Sequence, residues 1–179
     1  MEMKKLDNQK GFTLVEIAIV LVIIGLLLGG VLKGQELIEN SKIKSVSQDF
    51  DGISAAYYAY QDRVGRIPGD SDRDGLVDSV TAVSGFWSQL RDQGFIKGAS
   101  TNVSGPVHAL DGSFTVNSTD LTNAVAGFNK NHVCATNIDP VVAGGMDTKL
   151  DDGAPATGII RSAAANYNAG APITLCKEL

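Results

Sequence analysis

Gly11-Phe12-Thr13-Leu14-Val15-Glu16, continued by the apolar run Ile17 to Leu32, is the stretch that decides the fold of this chain. From Phe12 to Leu32 there are 21 residues, about 31 Å of helix, which matches a hydrocarbon core of roughly 30 Å. The run therefore predicts a membrane-spanning helix. Glu16 is the exception within it, because a carboxylate inside lipid is costly and by default marks a functional position.

The residues before the run do not have the pattern of a secretory signal. Met1 to Gly11 carries three lysines but no apolar core, and the far end of the run has no Ala-x-Ala cleavage pattern. The sequence Lys10-Gly11-Phe12-Thr13-Leu14-Val15-Glu16 instead resembles the processing site of type IV prepilins and type II secretion pseudopilins. The alternative is an ordinary signal-anchor helix with a chance acid near its end.

The resemblance implies a role for each matching position. A prepilin peptidase would cut between Gly11 and Phe12 on the cytoplasmic side, and would N-methylate the new amino terminus at Phe12. Glu16 would guide methylation and assembly by meeting the Phe12 ammonium of a neighbouring subunit. The helix would be retained, so the implied partners are the membrane, the peptidase, an inner-membrane assembly platform and other pilins in a filament.

Length and charge limit the part of the chain beyond the helix. The 179 residues leave room for one modest globular domain beside the helix. The predicted division is a leader at 1–11, a membrane part of the helix at 12–32, an amphipathic part at 33–63 and a β-rich head at 64–179. The net charge of −5 argues against nucleic-acid binding through bulk charge, although a small basic patch stays open.

The lysines and cysteines indicate a compartment. Three lysines precede the span, whereas the lysines after it alternate with glutamates, which favours a cytoplasmic amino terminus. The head would then be periplasmic, and later part of an extracellular pilus or a periplasmic pseudopilus. Cys134 and Cys176 can pair in such an exported compartment, with two buried thiols as the alternative.

Apolar residues recur at intervals of three and four after the span, which predicts an amphipathic helix with one apolar stripe. The stripe consists of Ile43, Val46, Phe50, Ile53, Tyr57 and Tyr60. No proline interrupts residues 12–67, so one helix is expected from about Phe12 to about Arg63, roughly 75 Å long. Pro68 and Gly69 then prevent its continuation.

The rest of the chain predicts a short helix and several strands. The helix is expected at Phe86 to Gly94, and a further helical turn at Ser118 to Ala126. Asp-Gly pairs at 111–112 and 152–153 favour tight hairpin turns. Strands are expected near Val107 to Leu110, Ser113 to Val116, Asn131 to Ala135, Met146 to Leu150 and Gly158 to Arg161. This order resembles the pilin fold, an α+β arrangement in which a long N-terminal helix packs on a C-terminal antiparallel sheet.

The acidic loop after the long helix has the spacing Asp70-x-Asp72-x-Asp74-Gly75-x-x-Asp78. It resembles positions one, three, five, six and nine of an EF-hand-type calcium loop, in which alternate oxygen ligands converge on one ion. Position twelve is Thr81, so the bidentate acid of that loop is missing. Calcium-binding pseudopilin relatives support a calcium site here. A solvated acidic loop without an ion is the alternative.

No catalytic pattern is visible. His108 and His132 have no cysteine or carboxylate at a recognised metal-ligand spacing, and no Gly-x-Ser-x-Gly or phosphate-binding glycine loop occurs. The sequence therefore predicts a non-enzymatic structural subunit of a type IV pilus or a type II secretion pseudopilus. The alternative is a minor pilin at a filament tip that binds DNA, a surface or a secreted protein. Glu16 favours a shaft subunit, because terminal minor pilins can lack this acid.

Overall fold

The computed structural model describes residues 11–80, 82–118, 128, 130–168 and 170–179. Within these residues the helices are α1 (Leu14–Val64), α2 (Phe86–Asp92) and α3 (Pro140–Leu150). The strands are β1 (Phe114–Asn117), β2 (His132–Ile138), β3 (Ile160–Ser162) and β4 (Ile173–Glu178). They form one antiparallel sheet in the order β1-β2-β4-β3. The predicted α+β fold, a long N-terminal helix followed by an antiparallel sheet, is confirmed.

Helix α1 extends from Leu14 to Val64, and Gly65 caps its C-terminal end. Gly65 adopts a left-handed backbone with φ 75°, and its N–H donates to the Gln61 carbonyl at 2.8 Å. That conformation costs glycine little and closes the last turn of a helix. The end of α1 is therefore set one residue after the predicted Arg63.

The chain forms two compact units, one up to Glu39 and one from Asn40 to Leu179. In the first unit an 18-residue window of α1 has a mean hydropathy of 2.8, and none of that window is buried. By length and composition α1 can therefore cross a membrane, as predicted.

In the second unit the predicted stripe of α1 is buried against the sheet and α2. Phe50 meets the Phe114 ring of β1 edge to face, with ring centroids 5.2 Å apart. Lys177 of β4 reaches Asp51 of α1, with Nζ and Oδ1 2.6 Å apart. Trp87 of α2 is 1% exposed, so it anchors the core.

Helix α3 replaces a predicted strand. Met146 to Leu150 belongs to α3, so the strand prediction was wrong there. Asp139 begins the helix, because its side chain accepts the Val141 N–H at 2.8 Å, and Pro140 fits the first turn. Gly145 lets α3 pack closely on α1, since a Cβ there would lie 2.7 Å from Ile43 Cδ1 and the isoleucine side chain would have to shift.

The remaining strand predictions vary in accuracy. Predicted segments overlap β1, β2 and β3, whereas β4 was not predicted. Val107 to Leu110 is not a strand, since only Val107 forms an isolated bridge, to Ser113. The Asp152-Gly153 pair comes after α3 and is not a hairpin turn between strands. The predicted helical turn at Ser118 to Ala126 falls almost entirely outside the described residues.

Candidate functional site

The predicted cleavage site lies just before α1, in chain that forms no helix or strand. Phe12 is 84% exposed, and a Cβ on Gly11 would meet nothing within 4 Å. A peptidase can therefore approach the Gly11–Phe12 peptide bond without unfolding a helix. Residues 1–10 of the predicted leader lie outside the described residues.

Thr13 and Glu16 form a capping box at the start of α1. The Glu16 N–H donates to Thr13 Oγ1 at 3.2 Å. In return, Glu16 Oε2 accepts from the Thr13 N–H at 2.9 Å and from the Thr13 hydroxyl at 2.7 Å. These bonds satisfy N–H groups that the first turn of a helix leaves without partners.

The sequence prediction for Glu16 missed this second role, although Thr-x-x-Glu before an apolar run is its signal. The structure thus shows how the carboxylate is held within one chain. Its predicted partner, the ammonium of a neighbouring Phe12, would have to compete with Thr13 for it.

The apolar side chains of the first unit are exposed on all sides of the helix. Ile17, Val22 and Leu27, for example, are 47%, 63% and 63% exposed. Such a surface is stable only in lipid or against other subunits.

Residues 6–32 match the family model for the prokaryotic N-terminal methylation motif. The chain has a prepilin-type N terminus. The match confirms the type IV pilin or pseudopilin resemblance, and the proteins that carry this motif are structural pilin-type subunits. Comparisons with curated proteins and with solved structures give no match.

The second unit contains the predicted disulfide. Cys134 of β2 and Cys176 of β4 lie directly opposite each other in the sheet and are bonded. Both are buried with Phe128 in a small cluster of their own. The disulfide is thus confirmed, and it links β2 to the last strand.

His132 lies beside this cluster and is fully buried. Its Nδ1 donates to the Lys130 carbonyl at 2.9 Å, and its ring stacks on Phe128 with centroids 4.5 Å apart. Its Nε2 is buried and has no partner among the described residues. Burial lowers the pKa of His132, so the neutral ring is the form that fits this site.

The acidic loop brings together three of its four predicted calcium ligands. Carboxylate oxygens of Asp70, Asp72 and Asp78 lie within 4.8 Å of one another. Asp74 is outside that group, and its Oδ1 accepts the Leu76 N–H at 2.7 Å. Three converging carboxylates are the hard oxygen donors that calcium prefers, so these residues fit a calcium ion.

Hydrogen bonds within the loop hold these carboxylates in place. Asp70 is 3% exposed, and its two oxygens accept the N–H groups of Arg73 at 2.5 Å and Gly75 at 3.2 Å. Asp78 accepts from the Ser71 hydroxyl and N–H, which lowers the pKa of Asp78. The carboxylate form is therefore favoured at neutral pH.

A second group of acids, Asp147, Asp151 and Asp152, was not predicted from the sequence. Asp147 is fully buried and accepts the Tyr167 hydroxyl at 2.6 Å. Burial raises the pKa of Asp147, and also that of Tyr167. Asp151 accepts the Ile160 N–H at 2.8 Å, so these acids fasten the loop between α3 and β3.

Proposed function

We propose that this chain is a structural subunit of a helical filament, either a type IV pilus or a type II secretion pseudopilus. The observation that carries the proposal is the first unit, whose apolar helix has a membrane-length window that is not buried in its own chain. Thr13 and Glu16 cap the start of this helix, and the methylation motif matches its sequence. A surface of that size needs lipid before assembly and other helices after it.

The proposed sequence of events follows the chemistry of the N terminus. Prepilin peptidase cuts after Gly11 and N-methylates Phe12, while the helix stays in the inner membrane with its amino terminus in the cytoplasm. The assembly platform then draws the subunit into the filament. There the Glu16 carboxylate pairs with the Phe12 ammonium of the next subunit, which sets the axial register. The disulfide-bonded head is presented outside the membrane, and it catalyses no reaction.

Mass spectrometry of the exported protein tests this proposal. The mature chain should begin at Phe12 and carry an N-methyl group, and Gly11→Val should remain uncut and in the membrane fraction. A mature chain that begins elsewhere would contradict the prepilin assignment. Imaging of purified filaments, with protein identification, then shows whether this chain forms the shaft. A chain found only in trace amounts at filament ends would instead indicate a minor tip pilin.

For the acidic loop we propose calcium binding through Asp70, Asp72 and Asp78. The support is that carboxylate oxygens of these three residues lie within 4.8 Å of one another, in a loop that its own hydrogen bonds hold. Calcium should raise the melting temperature of the full chain in detergent micelles, and Asp72→Asn should abolish the increase. Asp74→Asn is the matched control, since Asp74 lies outside the converging group. An equal melting temperature with calcium and with chelator would leave a solvated loop as the explanation.

A further inference from the structure

A polar cavity of about 680 Å³ lies between the last turn of α1 and the acidic loop, within the second unit. Its wall includes Gln61 of α1, Gly65 just after the helix, and Arg66, Asp70 and Arg73. A volume of this order is typical of sites for small organic ligands. The sequence analysis predicted a calcium site in the adjoining acidic loop, through Asp70 among others, but no site for an organic ligand.

Two guanidinium groups line this cavity without a partner. Among the residues that the structure describes, none forms a hydrogen bond or an ion pair with the guanidinium of Arg66 or of Arg73. The Nε atom of Arg66 is buried, so solvent does not reach it. Buried polar atoms in folded proteins nearly always have a partner, and each exception requires an explanation. A ligand that accepts hydrogen bonds would supply the missing partner.

The contrast with neighbouring arginines makes this observation specific. Arg63, one turn earlier, donates to the Gln93 carbonyl at 3.0 Å and lies over the Phe95 ring at 4.6 Å. Arg91 is 7% exposed and donates to the carbonyls of Lys97, Asn102 and Ser104. Arg63 and Arg91 therefore have structural partners, whereas no partner of the Arg66 or Arg73 guanidinium lies within the described part of the chain; Arg73 is exposed, so water also reaches it.

Asp70 also lines the cavity, but among the described residues it forms no ion pair with either arginine. Both of its oxygens accept backbone N–H groups, of Arg73 and of Gly75. Arg73 moreover occupies a left-handed backbone conformation, with φ 70°, which asparagine or glycine adopts more easily. The turn itself therefore does not require arginine at this position.

A smaller cavity of about 170 Å³ shares Arg66 and Asp70 with the first. Its wall adds the serines Ser71, Ser79 and Ser84. The hydroxyl of Ser71 already donates to Asp78, so the wall offers Ser79 and Ser84 to a ligand that carries hydroxyls next to its charged group.

We propose that this pair of cavities binds a hydroxylated small molecule with one oxyanion group, such as a sugar acid or a sugar phosphate. The oxyanion would take the free donors of Arg66 and Arg73, since the planar guanidinium matches carboxylate and phosphate oxygens. The hydroxyls of the ligand would face the serine-lined wall. Carboxylate and phosphate ligands share this chemistry, and the experiment distinguishes them.

Nuclear magnetic resonance of the full chain in detergent micelles, in metal-free buffer, tests the proposal. D-glucuronate, glucose 1-phosphate and neutral D-glucose are titrated separately while the signals of Gly65 and Gly75 are followed. At least one of the two anions should give a saturable shift, and glucose should give none. The anion with the smaller dissociation constant identifies the preferred oxyanion.

Variants locate the binding. Arg66→Gln and Arg73→Gln should each weaken the binding about tenfold or more, since each removes charge-assisted hydrogen bonds. Arg63→Gln, the matched control, should change it by less than about twofold. If Arg66→Gln alters the fold, as judged by the remaining amide signals, Arg73→Gln at the exposed position decides the question. A linear response, an equal response to glucose, or undiminished binding in Arg73→Gln would overturn the proposal.

Discussion

Glu16 has two possible contributions to assembly, and three substitutions separate them. It caps α1 through Thr13, and its charge is the proposed partner of a neighbouring Phe12 ammonium. Glu16→Gln keeps a capping side chain but removes the charge, because glutamine also serves in capping boxes. Glu16→Leu removes both contributions. Thr13→Val removes the hydroxyl that the cap needs and leaves the charge in place.

The two contributions differ in size. Loss of an N-cap costs about 1 kcal/mol, within a range of about 0.5 to 2. An ion pair at about 4 Å is worth about 4 kcal/mol at an effective dielectric constant of about 20. Converted at about 1.4 kcal/mol per factor of ten, the cap corresponds to about fivefold in subunit affinity and the ion pair to on the order of a thousandfold.

Filament yield measures the difference. Each variant is expressed as the only copy, and mass spectrometry confirms that it inserts and is cut after Gly11. Thr13→Val should form somewhat fewer filaments, and Thr13→Ser, which keeps the hydroxyl, should form normal numbers. Glu16→Gln and Glu16→Leu should both form almost none. Normal filaments from processed Glu16→Gln subunits, with none from Glu16→Leu, would refute charge pairing and assign the role of Glu16 to the cap.

Three further predictions concern the stability of the head. Replacing Cys134 and Cys176 by serine should lower the free energy of unfolding by about 4 kcal/mol, measured by denaturant titration, from the entropy of the loop that the disulfide closes; an unchanged midpoint would contradict this. Burial lowers the pKa of His132 below its ordinary value of 6.5, so its contribution to stability is complete above that pH and declines as the pH falls through it. The melting temperature should fall between about pH 7 and pH 5, and His132→Phe should make this decrease smaller. His108→Gln is the control, and it should retain the share of the decrease that His132 causes. Arg91→Met should destabilise the head by about 3 kcal/mol or more, because three carbonyls lose a charged donor; a change below about 1 kcal/mol would show that water replaces the guanidinium.

The sequence predicts α1 correctly because both of its halves carry a strong periodic or compositional signal. The apolar run needs no partner within the chain to form a helix, and the stripe from Ile43 to Tyr60 is buried as its spacing requires. The end of the helix also depends on local chemistry, through Gly65 and the proline shortly after it. These signals lie within a few residues of the structure that they determine.

The errors in the head have physical causes. Segment 140–150 contains two adjacent glycines and two adjacent valines, a composition that disfavours a helix, yet packing of Gly145 against Ile43 makes the helix fit. Strand β4 was missed because its pairing with β2 depends on chain far away in the sequence. Intrinsic preference was overridden by tertiary contacts in both cases.

Side-chain partners formed by tertiary structure were the least predictable features of the head. Nothing in the sequence near Arg91 indicates that it will clamp three carbonyls, or that Asp147 will be paired with Tyr167. These pairings show which side chains have structural partners, and so make those without a partner stand out. Among the described residues the buried guanidinium of Arg91 has three carbonyl acceptors, whereas the buried Nε of Arg66, like Nε2 of His132, has no partner. For Arg66, which lines a cavity, a ligand that accepts hydrogen bonds would supply the partner that buried polar atoms nearly always have.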